Sequence, residues 1–138
     1  MENGFLKQLI PLALAILIVS LVLVVISQRE PTPVYTIDTY SSACLSEAHD
    51  IAISAEGNSI VVIAPMVTPN PCYSASGTVN FIGKEINVEL IPLPKQEICV
   101  QCIGEVTGKV VIQNLTKGVY GVDVRTPDRA AITTIMIE

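Results

Sequence analysis

The chain has 138 residues, of which 50% are hydrophobic and 15% are charged, and its formal net charge is −5. This length fits one domain, because globular domains mostly contain about 100–150 residues. The high hydrophobic content excludes a disordered chain. The acidic balance argues against binding to nucleic acid, since phosphates repel negative charge.

Hydrophobic residues are concentrated near the N-terminus. Residues 8–28 carry no charge, lie between Lys7 and Arg29, and are apolar on every side rather than along one stripe. As a helix this run would be about 31 Å long, which matches a hydrocarbon core of about 30 Å. The sequence therefore predicts a single transmembrane helix over residues 8–28, in contact with membrane lipid. A cleaved signal peptide fits less well, because its apolar stretch is shorter.

The predicted helix divides the chain into four parts. These are a cytoplasmic N-terminus (1–7), the transmembrane helix (8–28), a linker with a first extended segment (29–43) and an extracytoplasmic domain (44–138). The positive-inside rule favours this orientation slightly. We therefore expect the protein in the cell membrane, with its N-terminus cytoplasmic and its C-terminal domain outside the cytoplasm.

Gly4 and Phe5, placed before the long apolar run, resemble the processing site of type IV pilin-like proteins. The resemblance implies a helix that assembles into a filament core after cleavage, followed by a small β-rich head. The chain departs from that family at Leu9, where the family usually has Glu. It also departs at Glu2 and Asn3, where basic residues usually precede the Gly.

From residue 30 onward, short β-branched runs alternate with turn residues. This part holds 12 acidic and 6 basic residues, so its net charge is −6. Gly83 and Lys84 form a two-residue hairpin signal. Seven strands are predicted, at residues 51–54, 59–64, 77–82, 85–90, 106–112, 119–125 and 131–137. Short strands with turn signals at about 8–12-residue spacing predict a mainly β fold, a small antiparallel β-sandwich preceded by the single transmembrane α-helix.

Residues 112–124 resemble the strand–turn–strand corner of immunoglobulin-like and transthyretin-like extracellular domains. In that corner a Leu, a Gly and a Tyr precede an alternating strand, here Leu115, Gly118 and Tyr120. The resemblance implies an Ig-like sandwich and a tyrosine-corner role for Tyr120, its hydroxyl bonded to backbone upstream and its ring packed inward. It implies no particular activity.

All four cysteines, Cys44, Cys72, Cys99 and Cys102, follow the predicted helix. An even number in a small extracytoplasmic domain predicts disulfides. A Cys99–Cys102 bridge would close a very short loop and constrain the unfolded chain little. We therefore expect two links that join Cys44 and Cys72 to residues 98–103, with the choice of partners open.

The spacing Cys99-Val-Gln-Cys102 also allows two functional interpretations. Thioredoxin-like oxidoreductases use C-x-x-C, but they place the reactive thiol at a helix N-terminus, whereas strands surround it here. Zinc sites with four cysteines usually show two C-x-x-C pairs, and one is present. Structural disulfides remain the favoured interpretation.

Few other residues suggest chemistry. His49 stands beside Asp50, but neighbouring strand residues point to opposite faces, so we interpret His49 as a surface residue and not as part of a triad. Asn114, in Asn-Leu-Thr, is a candidate for N-glycosylation. Glu85 and Glu89 should share one solvated strand face. We predict no catalytic residue, no cofactor and no metal site.

These observations predict a non-enzymatic, membrane-anchored, extracytoplasmic β-sandwich with a binding or structural role at the cell surface. Its partner would be a protein or a second copy of itself, and not nucleic acid. One alternative is a pilin-like or other envelope filament subunit. The other is a membrane-tethered thiol–disulfide oxidoreductase that uses Cys99 and Cys102.

Overall fold

The computed structural model of the chain describes residues 14–22 and residues 31–138. The chain divides into two units, residues 1–31 and residues 32–138. In the first unit, residues 14–22 are helical. The second unit contains all of the β-structure that the structure describes.

The transmembrane helix predicted over residues 8–28 is not found, and the predicted fold class is wrong in this element. A helix over residues 14–22 rises about 14 Å, roughly half of a hydrocarbon core. No helix among the described residues is both long and apolar enough to cross a membrane. Residues 8–13 and 23–28, like the pilin-like Gly4 and Phe5, lie outside the described residues.

Eight strands form the second unit, which confirms the prediction of a mainly β fold. They are β1 (Val34–Cys44), β2 (Ala52–Glu56), β3 (Ser59–Thr68), β4 (Tyr73–Ile82), β5 (Glu85–Pro94), β6 (Gly104–Gln113), β7 (Gly118–Arg125) and β8 (Ala130–Ile137). One sheet has the order β1-β6-β3-β2 and the other the order β4-β5-β7-β8. The two sheets pack face to face as a sandwich, with β1 opposite β4 and β2 opposite β8.

The seven predicted strands correspond to β2–β8. The segment predicted as a linker with a first extended stretch, 29–43, supplies most of β1, an edge strand that pairs with β6 over its whole length. The sheets are also not purely antiparallel, because β5 and β7 run parallel, with Ile86 opposite Val122. The reason lies in the connection: β6 belongs to the other sheet, so the chain returns to the β5 sheet in its original direction.

Glycines form the two tightest hairpins. Gly57 between β2 and β3 and Gly83 between β4 and β5 have positive φ, 61° and 62°. Each stands first in a two-residue loop whose flanking residues are paired, and Ile82 lies opposite Glu85 in the second. Two-residue hairpin loops need positive φ at this position, which Gly adopts at little cost.

Strand alternation places one set of side chains between the sheets. The inward side chains of the four central strands, β3, β6, β5 and β7, are almost fully buried. They are Ile60, Val62, Ala64, Met66, Val106, Val110, Ile112, Ile86, Val88, Leu90, Tyr120, Val122 and Val124. Burying one Val, Leu or Ile side chain contributes about 1.5–3 kcal/mol. This apolar layer therefore sets which residues of each strand are left to face outward.

Leu90 and Ile91 test this arrangement, because they are neighbours on β5 with opposite orientations, 0% and 44% exposed. Leu90→Ala should lower the free energy of unfolding by about 2–5 kcal/mol, since it leaves a cavity in the layer. The matched control Ile91→Ala should cost less than about 1 kcal/mol. Urea unfolding followed by circular dichroism measures both. Equal losses would contradict the assigned register of β5.

Candidate functional site

Both disulfides join residues that are distant in sequence, and they confirm the prediction of disulfide bonds. Cys44, at the end of β1, is bonded to Cys102, and Cys72, between β3 and β4, is bonded to Cys99. The sequence separations are 58 and 27 residues, and the Cα–Cα distance is 5.8 Å in each bridge. No cysteine among the described residues is free.

The C-x-x-C pair is therefore not an internal bridge. Cys99 and Cys102 lie on the connection from β5 to β6, and each bonds to a different element of the sandwich. No helix begins at this segment, so neither sulfur lies at the helix N-terminus that activates a redox thiol. A disulfide stabilises the folded state by lowering the entropy of the unfolded chain. For loops of this size, the chain-entropy relation gives a stabilisation of about 3.5–4 kcal/mol for each bridge taken alone.

Tyr120 closes the connection from β6 to β7, where the chain passes between the sheets. Its ring is buried, and its hydroxyl donates a hydrogen bond to the Thr116 carbonyl at 3.0 Å. The ammonium of Lys84 lies 5.4 Å from the ring centroid and donates to the Lys117 carbonyl at 3.0 Å. This is the geometry of a tyrosine corner, and it joins the β4–β5 hairpin to the β6–β7 turn.

Asn114 lies in the same turn and is exposed, with φ of 61°. The next residue, Leu115, is buried and its amide donates to the Asn58 carbonyl at 3.1 Å. The amide side chain of Asn114 is thus on the surface of a fixed turn. Its glycosylation stays a prediction.

The outer face of the first sheet brings together His49 and Glu105, which are 56 positions apart. Glu105 lies on the central strand β6, between Ala43 of β1 and Val67 of β3, and its side chain is only 11% exposed. His49 lies between β1 and β2, and its Nδ1 donates a hydrogen bond to Glu105 Oε1 at 2.9 Å. Glu105 Oε2 is buried and has no hydrogen-bond partner among the described residues.

A cavity of about 300 Å³ opens beside this pair. Its lining includes two apolar residues on the outer face of β3, Ile63, which is partly buried, and Pro65, which is fully buried. Tyr40 contributes an exposed ring from β1, where the register with β6 shifts between Thr39 and Ser41. Such a bulge re-aims a side chain, here towards the cavity. The remaining lining residues are Ser41, His49, Asp50, Glu105 and Thr107.

Arg129, from the β7–β8 turn of the second sheet, fixes the segment that carries His49. Its guanidinium donates to the His49 carbonyl and lies 3.5 Å from an Asp50 carboxylate oxygen. It also pairs with Asp128 at 3.4 Å. The rim of the cavity is thus held by contacts from both sheets.

On the outer face of the second sheet, the best-defined contact is between Asp123 and Arg125. The Arg125 guanidinium donates to both carboxylate oxygens of Asp123, at 2.7 Å and 3.2 Å. This hydrogen bond and the carboxylate charge raise the pKa of Arg125 above its ordinary value. Glu85 and Glu89 both face outward on β5 of this sheet. Within the described ranges, no three His, Cys, Asp or Glu side chains converge as a metal site would require.

Sequence reasoning placed His49 on the surface and did not connect it with Glu105. A contact across 56 positions depends on the fold, because the β1–β2 connection has to cross the outer face of the sheet. One signal was available: Glu105 is an acidic residue that directly precedes Val106 at the start of a central strand. Such a residue needs a partner when it is buried.

The tyrosine corner is tested by Tyr120→Phe, which removes the hydroxyl and leaves the ring. We expect the free energy of unfolding to fall by about 1–2 kcal/mol, because the Thr116 carbonyl loses its donor. Tyr35→Phe is the matched control, since the Tyr35 ring is partly exposed, and it should cost less than about 0.5 kcal/mol. Thermal or urea unfolding measures both. A Tyr120→Phe variant as stable as the wild type would show that the hydroxyl contributes nothing.

Comparison with known proteins assigns the chain to no family. No protein-family model matches the chain, and neither a curated protein nor a solved structure is significantly similar to it. The resemblances of residues 112–124 and of the N-terminus to known families therefore stay predictions. What the protein does has to be inferred from its own side chains.

Proposed function

We propose that the protein is a non-catalytic binding or structural protein of an oxidising, extracytoplasmic compartment, such as the cell surface. The observation that carries this proposal is that all four cysteines are used in two long-range disulfides. Such bridges persist in oxidising compartments and are rare where thiols are kept reduced. They also suit a small sandwich whose core is built mainly from Val and Ile.

The arrangement of the cysteines favours a structural role over redox catalysis. A C-x-x-C oxidoreductase cycles between an internal bridge and two thiols. Here Cys99 and Cys102 bind separate partners, so forming an internal bridge would first break both existing links. This favours the binding or structural role over the oxidoreductase alternative.

Thiol trapping in intact cells that express the full chain tests the compartment. We expect no alkylation of the four cysteines before reduction, and non-reducing peptide mapping should recover Cys44–Cys102 and Cys72–Cys99. The control variant Cys72→Ser should expose one alkylatable thiol, at Cys99, and lower the free energy of unfolding by about 2–4 kcal/mol. Four reduced thiols would overturn the proposed compartment, and a labile Cys99–Cys102 bridge would favour the oxidoreductase.

A second candidate function is that of a subunit that assembles through strand β8. Edge strands usually carry charges, prolines or bulges that prevent pairing with another chain. β8 has none of these, and its outward side chains include exposed Ile132 and Met136. In an antiparallel pair of two β8 strands centred on Thr134, Ile132 would lie opposite Met136 and no like charges would meet. A second copy of the chain is therefore the partner that this edge fits.

This second candidate predicts a concentration-dependent dimer. Ile132→Lys should shift the full chain to monomer in size-exclusion chromatography with light scattering, because it places a charge at the paired edge. Ile82→Lys is the matched control, since Ile82 is similarly exposed (69% against 77%) on β4, the other edge strand of the same sheet. It should leave the dimer intact. A wild type that is monomeric at all concentrations would rule out assembly through β8.

A further inference from the structure

We propose that residues 98–103, on the connection from β5 to β6, form an apolar tip that inserts into the surface of a neutral lipid bilayer. The inference rests on the proposed binding role and gives it a partner class. It is carried by the exposure of Ile98, Val100 and Ile103, which are 105%, 67% and 62% exposed on a segment that both disulfides hold in place.

The aliphatic side chains of the tip face water. Among the large apolar side chains that the structure describes, that of Ile98 is the most exposed. The cysteines of the same segment, Cys99 and Cys102, are partly buried, because each bonds to a cysteine of the sandwich. The two disulfides thus direct the sulfurs towards the sandwich and leave the aliphatic side chains outside. Exposed apolar patches of this kind mark surfaces that contact a protein or a membrane.

The connection that carries the tip is fixed at both of its ends as well as by its cysteines. The Lys95 amide donates a hydrogen bond to the Cys72 carbonyl at 2.9 Å, and the Leu45 amide donates one to the Ile103 carbonyl at 2.8 Å. A segment that is already ordered loses little conformational entropy when it binds. The exposed side chains can therefore make a contact without a costly ordering step.

The size and composition of the tip argue against a protein as its cover. A stable protein–protein interface uses about 20–30 residues on each side, whereas the tip has six. Trp, Tyr and Arg, which contribute much of the binding energy in such interfaces, are missing from residues 98–103. A bilayer needs no matching shape, because its acyl chains are fluid, and its affinity increases with the apolar area that is buried in it.

The charges near the tip select the kind of lipid. Residues 98–103 carry no charge, and the two charged groups beside them, on Lys95 and Glu97, lie 3.9 Å apart and offset each other. The net charge of −6 from residue 30 onward opposes the approach to an anionic surface. A zwitterionic layer such as that of phosphatidylcholine has no net charge. A neutral bilayer is therefore the partner that this tip fits.

The test uses tryptophan fluorescence, because the chain contains no Trp. In the full-length oxidised chain, Val100→Trp introduces a single reporter at the tip. Ile82→Trp is the matched control, since Ile82 is exposed to the same extent (69% against 67%). It pairs with Glu85 at the start of β5, whereas the tip follows the end of β5.

The probe is a vesicle of phosphatidylcholine that is brominated on its acyl chains. We expect it to quench the reporter of Val100→Trp saturably and to leave that of Ile82→Trp unquenched. Bromine quenches on contact, so the signal reports insertion of the substituted residue and not attachment of another part of the chain. Brominated phosphatidylserine should quench Val100→Trp less, and added salt should reduce the difference.

A second substitution isolates the apolar contact. Added to Val100→Trp, Ile98→Asp should lower quenching at subsaturating lipid about tenfold or more, because a charge replaces an inserted aliphatic side chain. Ile132→Asp in the same background makes the same change in charge at another exposed Ile, on β8, and should leave quenching unchanged. Both positions are exposed, so neither substitution disturbs the core.

No quenching of Val100→Trp, equal quenching of the two reporters, or stronger quenching by phosphatidylserine would overturn the proposed contact. So would a dimer that Ile98→Asp dissociates in light scattering, because a second copy would then cover the tip. These failures are distinguishable from failure of the proposed function. Reduced cysteines in cells would overturn the compartment without affecting measurements on purified, oxidised protein, and an unquenched tip would leave the disulfides in cells intact.

Discussion

The apolar layer between the two sheets is the interaction on which the rest of the structure depends. Because strand side chains alternate, burying Val106 and Val110 of β6 forces Glu105 and Thr107 onto the outer face. A slip of one residue would exchange the two faces and place a carboxylate in the core. The candidate site is thus a consequence of core packing, since the same register places Glu105 on the outer face of the central strand β6.

The disulfides anchor a part of the sandwich that lies outside this apolar layer. The connection from β5 to β6 passes from one sheet to the other and contributes no residue to the buried cluster. Cys99 and Cys102 tie it to the β3–β4 connection and to the end of β1. The Cys44–Cys102 bridge also fixes the end of β1, from which the segment that carries His49 departs. This covalent link therefore supports the geometry of the cavity.

Local sequence signals predicted the strands well because each signal acts over a few residues. The alternation in β5 and the Gly83 hairpin correspond directly to structure. The transmembrane helix predicted over residues 8–28 is not found, because no helix among the described residues is long and apolar enough to cross a membrane. The parallel pairing of β5 with β7 could not be foreseen either, since it depends on β6 joining the opposite sheet.

By itself, the sequence determined the mainly β fold, the two disulfides and the turn that carries Asn114 and leads into Tyr120. These features arise from alternation, turn chemistry and cysteine count, which are local or compositional. Only the tertiary structure decided which cysteines pair, where β1 belongs, and that His49 reaches Glu105 beside a cavity. The physical reason is that these contacts join residues far apart in sequence, so they depend on how the strands are arranged and not on local patterns.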